Sequence, residues 1–442
     1  MMINLFERFD QRSADLWHSQ QTAGIELPTV VMNDDGFLPP EVASPQQTFG
    51  HFDQGRPGMY FDRLPVPRFW RIVGDQNAAG IYQESVKRAN IEYLHRDNRR
   101  LVKAVQWLDS AGGFQWVDHY NQHGYRCAQT IYDHGQPVLK KYFTATDHQY
   151  AFQNLITGSL ILDVDGQRYC FNRRNDFWRF YLARQRYRLD RVLYNTLNEP
   201  YQLSMSLTDR GADTLFWQEP LTCGLPANMQ ALMNKPTRTK HIIFQRYQDW
   251  QQYSPQLTSD QVDFAYLGLI YPTIRENQGR PRVLIVTNSD QVEQLSSILG
   301  ALADVHFDIM AMTAMSAKLL AVRRFANVTL TPNASPAQIK AALANDDILL
   351  DINAGDEVLG VVRQAFEQNM LIMGFAATLH QPQYVAPENV FTKEDSQGLI
   401  HRVQVALADR STMRKLVRQQ RTTAGMATAA DYRRVFSRLT DA

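Results

Sequence analysis

The sequence predicts an α/β protein with two doubly wound parallel sheets and an antiparallel β meander inserted into its N-terminal half. Short apolar strands alternate with amphipathic helices over residues 282–425, and a similar rhythm runs through 187–271, which favours parallel sheets covered on both faces. Residues 46–186 are instead dense in aromatic residues and turn signals, which is typical of antiparallel hairpins. A chain of 442 residues is long enough for two or three domains of about 150 residues each.

Residues 1–45 and 187–271 are expected to form the first α/β domain together. Apolar spacing predicts a helix over residues 3–20, and the apolar run at 28–32 predicts a buried strand that ends in a turn. Further buried strands are predicted at 214–217, 241–244 and 264–270. The simplest arrangement joins the two segments into one domain and makes residues 46–186 an insertion.

Two patterns in the insertion have both a structural and a metal-binding interpretation. Asp163-Val164-Asp165 could hold a divalent cation, but it leads into Gly166 between two apolar runs, so a hairpin turn is favoured. His119 and His123 are four residues apart and would share a face of a helix. Gly124 follows at once and no glutamate lies beside His119, so we predict no metal site.

The segment 272–281 is bounded by prolines and is predicted to be a linker to the C-terminal domain, residues 282–425. Within that domain, strands are predicted at 283–286, 307–310, 328–330, 348–352 and 371–375. A helix over 357–368 is predicted to bury the stripe Val358, Val361, Val362, Ala365 and Phe366. The arginine-rich tail is predicted to be helical, with residues 426–442 as a C-terminal helix.

The amino-acid composition argues against several classes of protein. The net charge of +1 gives no global attraction to nucleic acid or to a membrane. The three cysteines, Cys127, Cys170 and Cys223, form no CxxC pair, so buried or inert thiols are favoured over a zinc site or a disulfide framework. The N-terminus lacks the features of a signal peptide, and no apolar run is long enough to cross a bilayer. A cytoplasmic location is therefore expected, and peripheral membrane attachment stays open.

Candidate ligand-binding residues lie where predicted strands end, because ligands of such sheets bind beyond the carboxyl ends of the strands. These loops are 33–36, 287–290 and 353–357, and Glu219 follows the strand at 214–217. Thr287-Asn288-Ser289-Asp290 predicts a capped helix start, with anion binding by the helix terminus as the alternative. The carboxylate of Glu219 could bind a ligand, cap a helix or pair with an arginine. Neither a GxGxxG nor a GxxxxGK[ST] motif is present, so a nucleotide-binding signature is absent.

Six motifs in this order resemble one bacterial family. They are NDDGFLP at 33–39, DHYN at 118–121, LFWQE at 215–219, LGLIYP at 267–272, VTNSDQ at 286–291, and DIN at 351–353 with Gly355 and Glu357. Together they resemble the stabilising, chaperone-like subunit of the O-linked N-acetylglucosamine transferase of the accessory Sec system. The resemblance runs through nearly the whole chain.

The resemblance implies a GT-B fold, in which two Rossmann-like domains face each other across a cleft, with an inserted β-rich domain. It implies a homologous catalytic partner, a heterotetramer, and an inactive subunit that binds no cofactor, because UDP-GlcNAc or UDP-Glc is used by the partner. The complex adds the first sugar to serine-rich repeat adhesins before their export. The first domain would be the acceptor side and residues 282–425 a degenerate donor side.

The donor-site motif of active enzymes can be compared with the corresponding residues of this chain. Active retaining GT-B enzymes resemble E-x7-E-A-M-A-x-G-x-P-V, in which the second glutamate holds the donor ribose. Here Gln364 stands at that glutamate, Asn369 at the glycine and Leu371 at the proline. An uncharged amide forms weaker hydrogen bonds to hydroxyls than a carboxylate does. No catalytic residue is therefore predicted.

A Ser/Thr-rich acceptor is polar and extended, so polar and aromatic side chains along a groove would suit it. The candidate acceptor-binding residues are Asn33, Asp34, His119, Trp217, Glu219, Asn288, Asn353 and Glu357. Two alternatives stay open: a free-standing GT-B glycosyltransferase using a UDP-sugar, and a purely structural stabiliser. The aromatic residues of the insertion either contact the partner or fill the insertion's own core.

Overall fold

The computed structural model describes residues 1–75, 78–94, 100–207, 210–222 and 224–441. These residues form two compact units: residues 1–244, 256–265 and the chain from Phe436 onward make the first, and residues 245–255 and 266–435 the second. The chain contains two parallel sheets and one large antiparallel sheet, so the predicted combination of sheet types is confirmed. Within the described ranges, no helix is both long and apolar enough to cross a membrane.

The first parallel sheet opens with elements from the start of the chain. They are β1 (Met2–Phe6), α1 (Gln11–Thr22), β2 (Thr29–Val31), β3 (Val42–Ala43) and α2 (Pro45–Gly50). The helix predicted over 3–20 is wrong in its first part, because residues 2–6 are a strand and the helix follows the cap residue Asp10. All five residues of β1 are buried, and periodicity cannot distinguish so short a buried strand from a buried helical turn.

The antiparallel sheet contains ten strands, each paired with the next along the chain. They are β4 (Trp70–Gly74), β5 (Ala79–Gln83), β6 (Val86–Tyr93), β7 (Val102–Leu108), β8 (Phe114–Tyr120), β9 (Arg126–Asp133), β10 (Gln136–Phe143), β11 (Gln149–Asn154), β12 (Leu160–Val164) and β13 (Gln167–Phe171). The predicted meander is therefore confirmed. Asp165 and Gly166 join β12 to β13 with φ of 52° and 73°, the left-handed backbone that a type I′ hairpin turn requires. The hairpin interpretation of Asp163-Val164-Asp165 is confirmed.

The first parallel sheet resumes after the antiparallel strands. The elements along this part of the chain are α3 (Arg174–Arg184), β14 (Arg191–Tyr194), α4 (Glu199–Ser206), β15 (Asp213–Trp217), α5 (Ala227–Asn234), β16 (Thr239–Phe244), α6 (Tyr247–Tyr253), which belongs to the second unit, and β17 (Asp263–Tyr266). The strand order is β17-β16-β15-β14-β1-β2-β3. The winding direction reverses between β1 and β14, which makes the carboxyl ends of these two strands the topological switch point.

The second parallel sheet has the same winding, in the order β20-β19-β18-β21-β22-β23. Its elements and the helices that follow are β18 (Arg282–Thr287), α7 (Leu295–Ala301), β19 (His306–Ala311), α8 (Ala317–Leu320), β20 (Val328–Thr331), α9 (Pro336–Asn345), β21 (Ile348–Asp351), α10 (Val361–Glu367), β22 (Leu371–Phe375), β23 (Val390–Phe391), α11 (Ser396–Leu407), α12 (Arg410–Thr423) and α13 (Ala429–Asp441). Val283 and Ile285 belong to one apolar cluster and Leu284 and Val286 to another, so both faces of β18 are covered.

The helix predicted over 357–368 begins later than expected. Leu359 and Gly360 have φ of 53° and 62°, and this left-handed pair delays the first helical residue to Val361. The predicted apolar stripe is nevertheless buried throughout. Periodicity therefore identified the buried face, whereas the turn before the helix left no apolar signal.

A fully buried carboxylate ties the segment 272–281 to the second sheet. Asp347 directly precedes β21, and its two oxygens accept hydrogen bonds from the guanidinium groups of Arg275 and Arg280 and from the backbone N–H groups of Gln278 and Arg280, at 2.6 to 3.1 Å. The Asp347 side chain is 0% exposed. Two arginines and two amides therefore converge on one charge, and the segment is packed against the sheet.

The first sheet has a corresponding carboxylate at the start of β15. Asp213 is 0% exposed and accepts hydrogen bonds from the Val192 N–H at 2.8 Å, the Ser204 hydroxyl at 2.6 Å and the Arg238 guanidinium at 3.1 Å. These bonds join two neighbouring strands, a helix and a loop. The amino end of each parallel sheet is thus fixed by an arginine–aspartate pair.

We expect Asp347→Asn to lower the free energy of unfolding by about 3–5 kcal/mol, because removing one partner of a buried ion pair leaves the other charge uncompensated. Denaturant titration followed by tryptophan fluorescence measures this loss. Asp304→Asn, an exposed aspartate of the same unit, is the matched control and should change stability by less than about 0.5 kcal/mol. Equal midpoints for the two variants would show that the carboxylate is dispensable.

Candidate functional site

Polar side chains occupy the carboxyl edge of the first sheet at its switch point. Glu7 follows β1 and accepts a hydrogen bond from the Asn198 amide at 2.9 Å. Asn195 follows β14, and its amide nitrogen lies 3.0 Å from both Ser13 Oγ and Gln218 Oε1. This edge is thus built largely from amide and carboxylate groups, which suits a polar ligand.

Trp217 and Glu219 lie at the end of β15. Trp217 is 3% exposed, and its indole nitrogen has no hydrogen-bonding partner in the described part of the chain. Glu219 is nearly half exposed and lies 3.4 Å from the Arg12 guanidinium. Of the three roles that the sequence left open for Glu219, the contact seen here is the pairing with an arginine.

Asn33 and Asp34 follow β2. Asn33 Oδ1 accepts a hydrogen bond from Arg174 at 3.0 Å, and Arg174 also pairs with Glu199 at 3.1 Å. Asp34 accepts from the Gly36 N–H at 2.6 Å and from the Ser44 hydroxyl at 2.5 Å. Burial raises the pKa of the Asp34 carboxyl, and the bonds from Ser44 and Gly36 oppose that rise.

Asn33 and Asp34 also line a cavity of about 40 Å³ between the end of β2 and the antiparallel sheet. Its walls come from the β2 loop, α2, β10, β11, β12 and α3. The lining residues are Met32, Asn33, Asp34, Pro45, Gln46, Phe49, Lys140, Tyr142, Tyr150, Ala151, Gln153, Leu160, Leu162, Arg174, Phe177 and Trp178. We call this the Asn33 pocket.

His119 lies on β8 and not on a helix, so the helical pair with His123 does not form and that metal-binding alternative is wrong. The His119 ring nitrogen Nε2 lies 2.9 Å from the Thr130 hydroxyl. Burial, aided by the nearby Lys140 and Lys103, lowers the pKa of His119 to about 3, so the ring is neutral at physiological pH. Within the described ranges, no cluster of three or more His, Cys, Asp or Glu side chains could hold a metal ion.

The predicted helix cap at Thr287–Asp290 is wrong. Helix α7 begins only at Leu295, after Gln294 in a left-handed conformation. Asn288 is exposed, and its side-chain oxygen accepts from the Asn353 amide at 3.2 Å. Asn353 itself is 2% exposed and also contacts Thr287 Oγ1 at 2.8 Å. The amides at this switch point therefore bond to each other.

Glu357 holds the loop after β21 together with a residue that sequence analysis missed. One Glu357 oxygen accepts from the Val362 N–H at 3.1 Å, in the first turn of α10. The Gln381 amide donates to both Glu357 oxygens, at 2.8 and 2.6 Å. The carboxylate is thus used to cap a helix and to anchor the segment after β22.

A second missed residue, His380, faces two acceptors. Its Nδ1 lies 2.6 Å from an Asp351 carboxylate oxygen, and its Nε2 lies 2.7 Å from the Gly355 carbonyl oxygen. When Asp351 is ionised, neither acceptor can donate, so both ring nitrogens donate and the ring is an imidazolium. Burial lowers the pKa of His380, but the contacts with Gly355 and Asp351 outweigh it and raise the pKa above its ordinary value. The sequence offered no spacing that links residue 380 to 351.

The three positions compared with the donor-site motif are all hydrogen-bonded within the protein. The Gln364 amide donates to the Leu359 carbonyl oxygen at 2.7 Å. Asn369 has a φ of 55°, and its amide donates to the Arg275 carbonyl oxygen at 2.8 Å. Leu371 begins β22, is 0% exposed, and its N–H donates to the Asp347 carbonyl oxygen at 2.9 Å. None of the three side chains presents a carboxylate to a ligand.

The two cysteines within the described ranges lie in different environments. Cys127 is buried, and burial raises the pKa of its thiol to about 12. Cys170 is an exposed free thiol. Cys223 lies outside the described residues.

Family models match four consecutive parts of the chain. They are the GtfB N-terminal domain over residues 3–49, the GtfB middle domain over 70–172, the GtfB third domain over 174–255, and the GftB/GlyA-F C-terminal domain over 283–420. A UDP-N-acetylglucosamine–peptide N-acetylglucosaminyltransferase stabilizing protein GtfB from Limosilactobacillus reuteri subsp. suis is 47% identical over 99% of both chains. The chain belongs to the GtfB family of stabilizing proteins.

Solved structures agree with this membership. A chain in the crystal structure of a GtfA/B complex bound to UDP and GlcNAc matches with a TM-score of 0.93 and 37% identity over 99% of each chain. The pneumococcal O-GlcNAc transferase GtfA matches with a TM-score of 0.57 at 11% identity, covering 100% of this chain and 99% of that one, a likeness of fold alone. The resemblance predicted from the six sequence motifs is confirmed.

The His380 imidazolium should make this GtfB family member less stable as pH rises. A histidine whose folded pKa is raised stabilises the protein fully below its unfolded pKa of about 6.5, and the contribution is lost as pH rises through the folded pKa. We therefore expect His380→Asn to cost most stability near pH 6 and least above pH 8, in denaturant titrations at fixed ionic strength. The exposed His401 supplies the control, His401→Asn. A cost for His380→Asn that is the same at every pH would mean that the ring is neutral.

Proposed function

We propose that the chain is the non-catalytic subunit of a protein O-glycosyltransferase, which stabilises a homologous catalytic subunit and binds the Ser/Thr-rich acceptor polypeptide. The observation that carries this proposal is the Gln364 side chain, which replaces the donor-site glutamate and donates its amide to a backbone carbonyl. Relatives named as stabilizing proteins and the GtfA/B complex support the choice of partner. UDP-GlcNAc or UDP-Glc is then held by the partner, and the products are serine-rich repeat adhesins bound for accessory Sec export.

In this proposal the chain has a GT-B arrangement. Residues 1–45 and 187–271 form the acceptor-side domain, 46–186 the add-on domain, 272–281 the linker, 282–425 the degenerate donor-side domain and 426–442 the C-terminal helix. The two domains would face each other across a cleft. The matching winding of the two parallel sheets and the likeness to the pneumococcal GtfA fold support it.

Acceptor contacts are proposed for eight residues that differ in what they offer. Asn33 and Asp34 line a pocket, Trp217 brings an unpartnered indole N–H, and Asn288 is exposed. Glu219 is exposed enough to exchange Arg12 for a ligand. The remaining three, His119, Asn353 and Glu357, are bonded within the protein, so they would act by shaping the surface around the acceptor.

The proposed partner surface is one face of the antiparallel sheet. Along β11 and β12, Ala151 and Leu162 are buried whereas Phe152 and Ile161 are partly exposed, so the two faces differ in cover. Phe152 pairs directly with Ile161, and Ile131 with Leu139. These partly exposed apolar side chains, on a face that also carries Lys141 opposite Phe152, suit a protein partner. A heterotetramer with the catalytic subunit is the proposed assembly.

A cytoplasmic location, peripheral at the inner face of the membrane, completes the proposal. Arg410, Arg414 and Arg418 follow one another at four-residue spacing on α12 and are exposed, and α12 contains no acidic residue. Like charges at this spacing repel one another, and anionic lipid would relieve that repulsion. Flotation with vesicles containing 30% phosphatidylserine tests the location, and recovery equal to that with neutral vesicles would contradict it.

The proposed roles of the two subunits predict the outcome of a transfer assay with labelled UDP-GlcNAc and a Ser-rich peptide. We expect no incorporation by this chain alone, little by the catalytic subunit alone and full incorporation by the two together. Adding Gln364→Glu to the mixture should leave the rate unchanged, because the donor lies in the partner. Transfer by the isolated chain would instead support a free-standing glycosyltransferase, and full transfer without it would remove its role.

A charged residue introduced on the proposed partner surface should weaken assembly with the catalytic subunit. Ile161→Glu should weaken binding of the catalytic subunit by at least about tenfold, because a carboxylate would lose its hydration in the interface. Co-purification and light-scattering mass report the loss, with a thermal melt to show that the variant folds. Thr157→Glu, in the exposed turn between β11 and β12, is the control. Unchanged assembly of the Ile161 variant would exclude this face.

A further inference from the structure

Trp178 lines the Asn33 pocket, and its buried indole nitrogen has no hydrogen-bonding partner in the described part of the chain. Gln46, Tyr150 and the half-buried Lys140 line the same pocket, and their side chains make no hydrogen bond within the described ranges. Trp178 is 1% exposed, Gln46 5% and Tyr150 6%, so water reaches them poorly. A buried polar group without a partner destabilises a protein, so the unpartnered Trp178 N–H at this cavity indicates a ligand-binding role.

These groups are mainly hydrogen-bond donors. The Lys140 ammonium, the Trp178 indole and the Tyr150 hydroxyl can all donate, and only Gln46 and Tyr150 can also accept. The Asp34 carboxylate, which lines the same cavity, already accepts from Ser44 and Gly36 and would repel an anion. The best complement is therefore a neutral ligand with acceptor oxygens.

The volume of the cavity limits the size of what enters. One water molecule needs roughly 10–15 Å³ of such space, so about 40 Å³ holds two or three non-hydrogen atoms. A serine side chain has two such atoms beyond Cα and a threonine side chain three. Phe49, Leu160 and Leu162 wall the cavity and are buried, so a larger side chain would have to displace them.

The cavity shares two of its lining residues with a groove in which a polypeptide backbone could lie. Phe49 and Tyr150 line both the Asn33 pocket and an open groove of about 610 Å³. That groove continues past His148 to the hairpin turn at Asp165. All of its lining residues belong to the first unit. An extended chain in the groove would bring its side chains, one after another, to the mouth of the pocket.

We propose that the Asn33 pocket receives a serine or threonine side chain of an extended polypeptide, with Trp178 and Lys140 donating hydrogen bonds to its hydroxyl and to an adjacent carbonyl oxygen. This inference rests on the proposed acceptor binding and assigns it a site and a selectivity for small hydroxylated side chains. Trp178 is the residue that distinguishes serine from alanine, and Ala151 at the cavity wall sets the size limit.

Binding of fluorescent peptides to the full-length protein, measured by anisotropy, tests the assignment. Three peptides of equal length are compared, with serine, alanine or phenylalanine at the repeated position. The wild-type protein should prefer serine over alanine, and the phenylalanine peptide should bind at least tenfold more weakly than alanine. Ala151→Leu fills the cavity and should weaken the serine peptide about tenfold or more.

Trp178→Phe removes the indole N–H and keeps an aromatic ring in place. It should reduce the preference for serine over alanine about five- to tenfold, the value of one hydrogen bond, and leave the alanine peptide unchanged. Trp17→Phe, a buried tryptophan of α1, is the control and should preserve the preference.

The outcomes distinguish the assignment of the pocket from acceptor binding itself. Tight serine-peptide binding that Ala151→Leu and Trp178→Phe leave intact would overturn the pocket assignment while acceptor binding stands. Equal losses for serine and alanine peptides in Trp178→Phe would overturn the role of its N–H. Absence of binding by any peptide to the wild-type protein would overturn acceptor binding itself. Thermal melts and assembly with the catalytic subunit confirm that each variant is folded.

Discussion

Both parallel sheets depend on a buried aspartate at their amino edge. Asp213 and Asp347 are fully inaccessible, and each gathers guanidinium and backbone or hydroxyl donors from segments that are distant in sequence. A charge placed in the interior is tolerated only when such donors surround it. The amino edge of each parallel sheet is therefore held by a buried ion pair that joins distant parts of the chain.

The carboxyl edges of the two sheets differ in how their polar side chains are hydrogen-bonded. In the second sheet, Glu357, Asn353 and His380 bond to the loop itself, so a ligand would have to displace existing bonds. Beyond the end of β2 in the first sheet, the indole N–H of Trp178 on α3 lines the Asn33 pocket without an acceptor in the described part of the chain. A polar chain could therefore gain a bond at the Asn33 pocket without displacing one. This difference is why the proposed acceptor site is placed in the first unit.

The sequence predicted the features that depend on residues close together in the chain, and it missed those that depend on residues far apart. Apolar periodicity and Asp-Gly turn signals identified the sheet types, the buried stripe of α10 and the hairpin at Asp165, because these depend on neighbouring residues. The strand at residues 2–6 was missed because a short buried strand has no period of its own. His380, Gln381 and the Asn33 pocket could not be predicted, since their partners lie many positions away and are joined only by the fold.

The contacts of Asn369 and Leu371 restrict which residues can replace them. The Asn369 amide donates to the Arg275 carbonyl oxygen, and the Leu371 N–H donates to the Asp347 carbonyl oxygen. A glycine at 369 would have no amide side chain and a proline at 371 would have no N–H, so either replacement would remove one of these bonds and cost stability. The positions compared with the donor-site motif of active GT-B enzymes thus hold the segment around Arg275, and introducing the glycine and proline of that motif would loosen it.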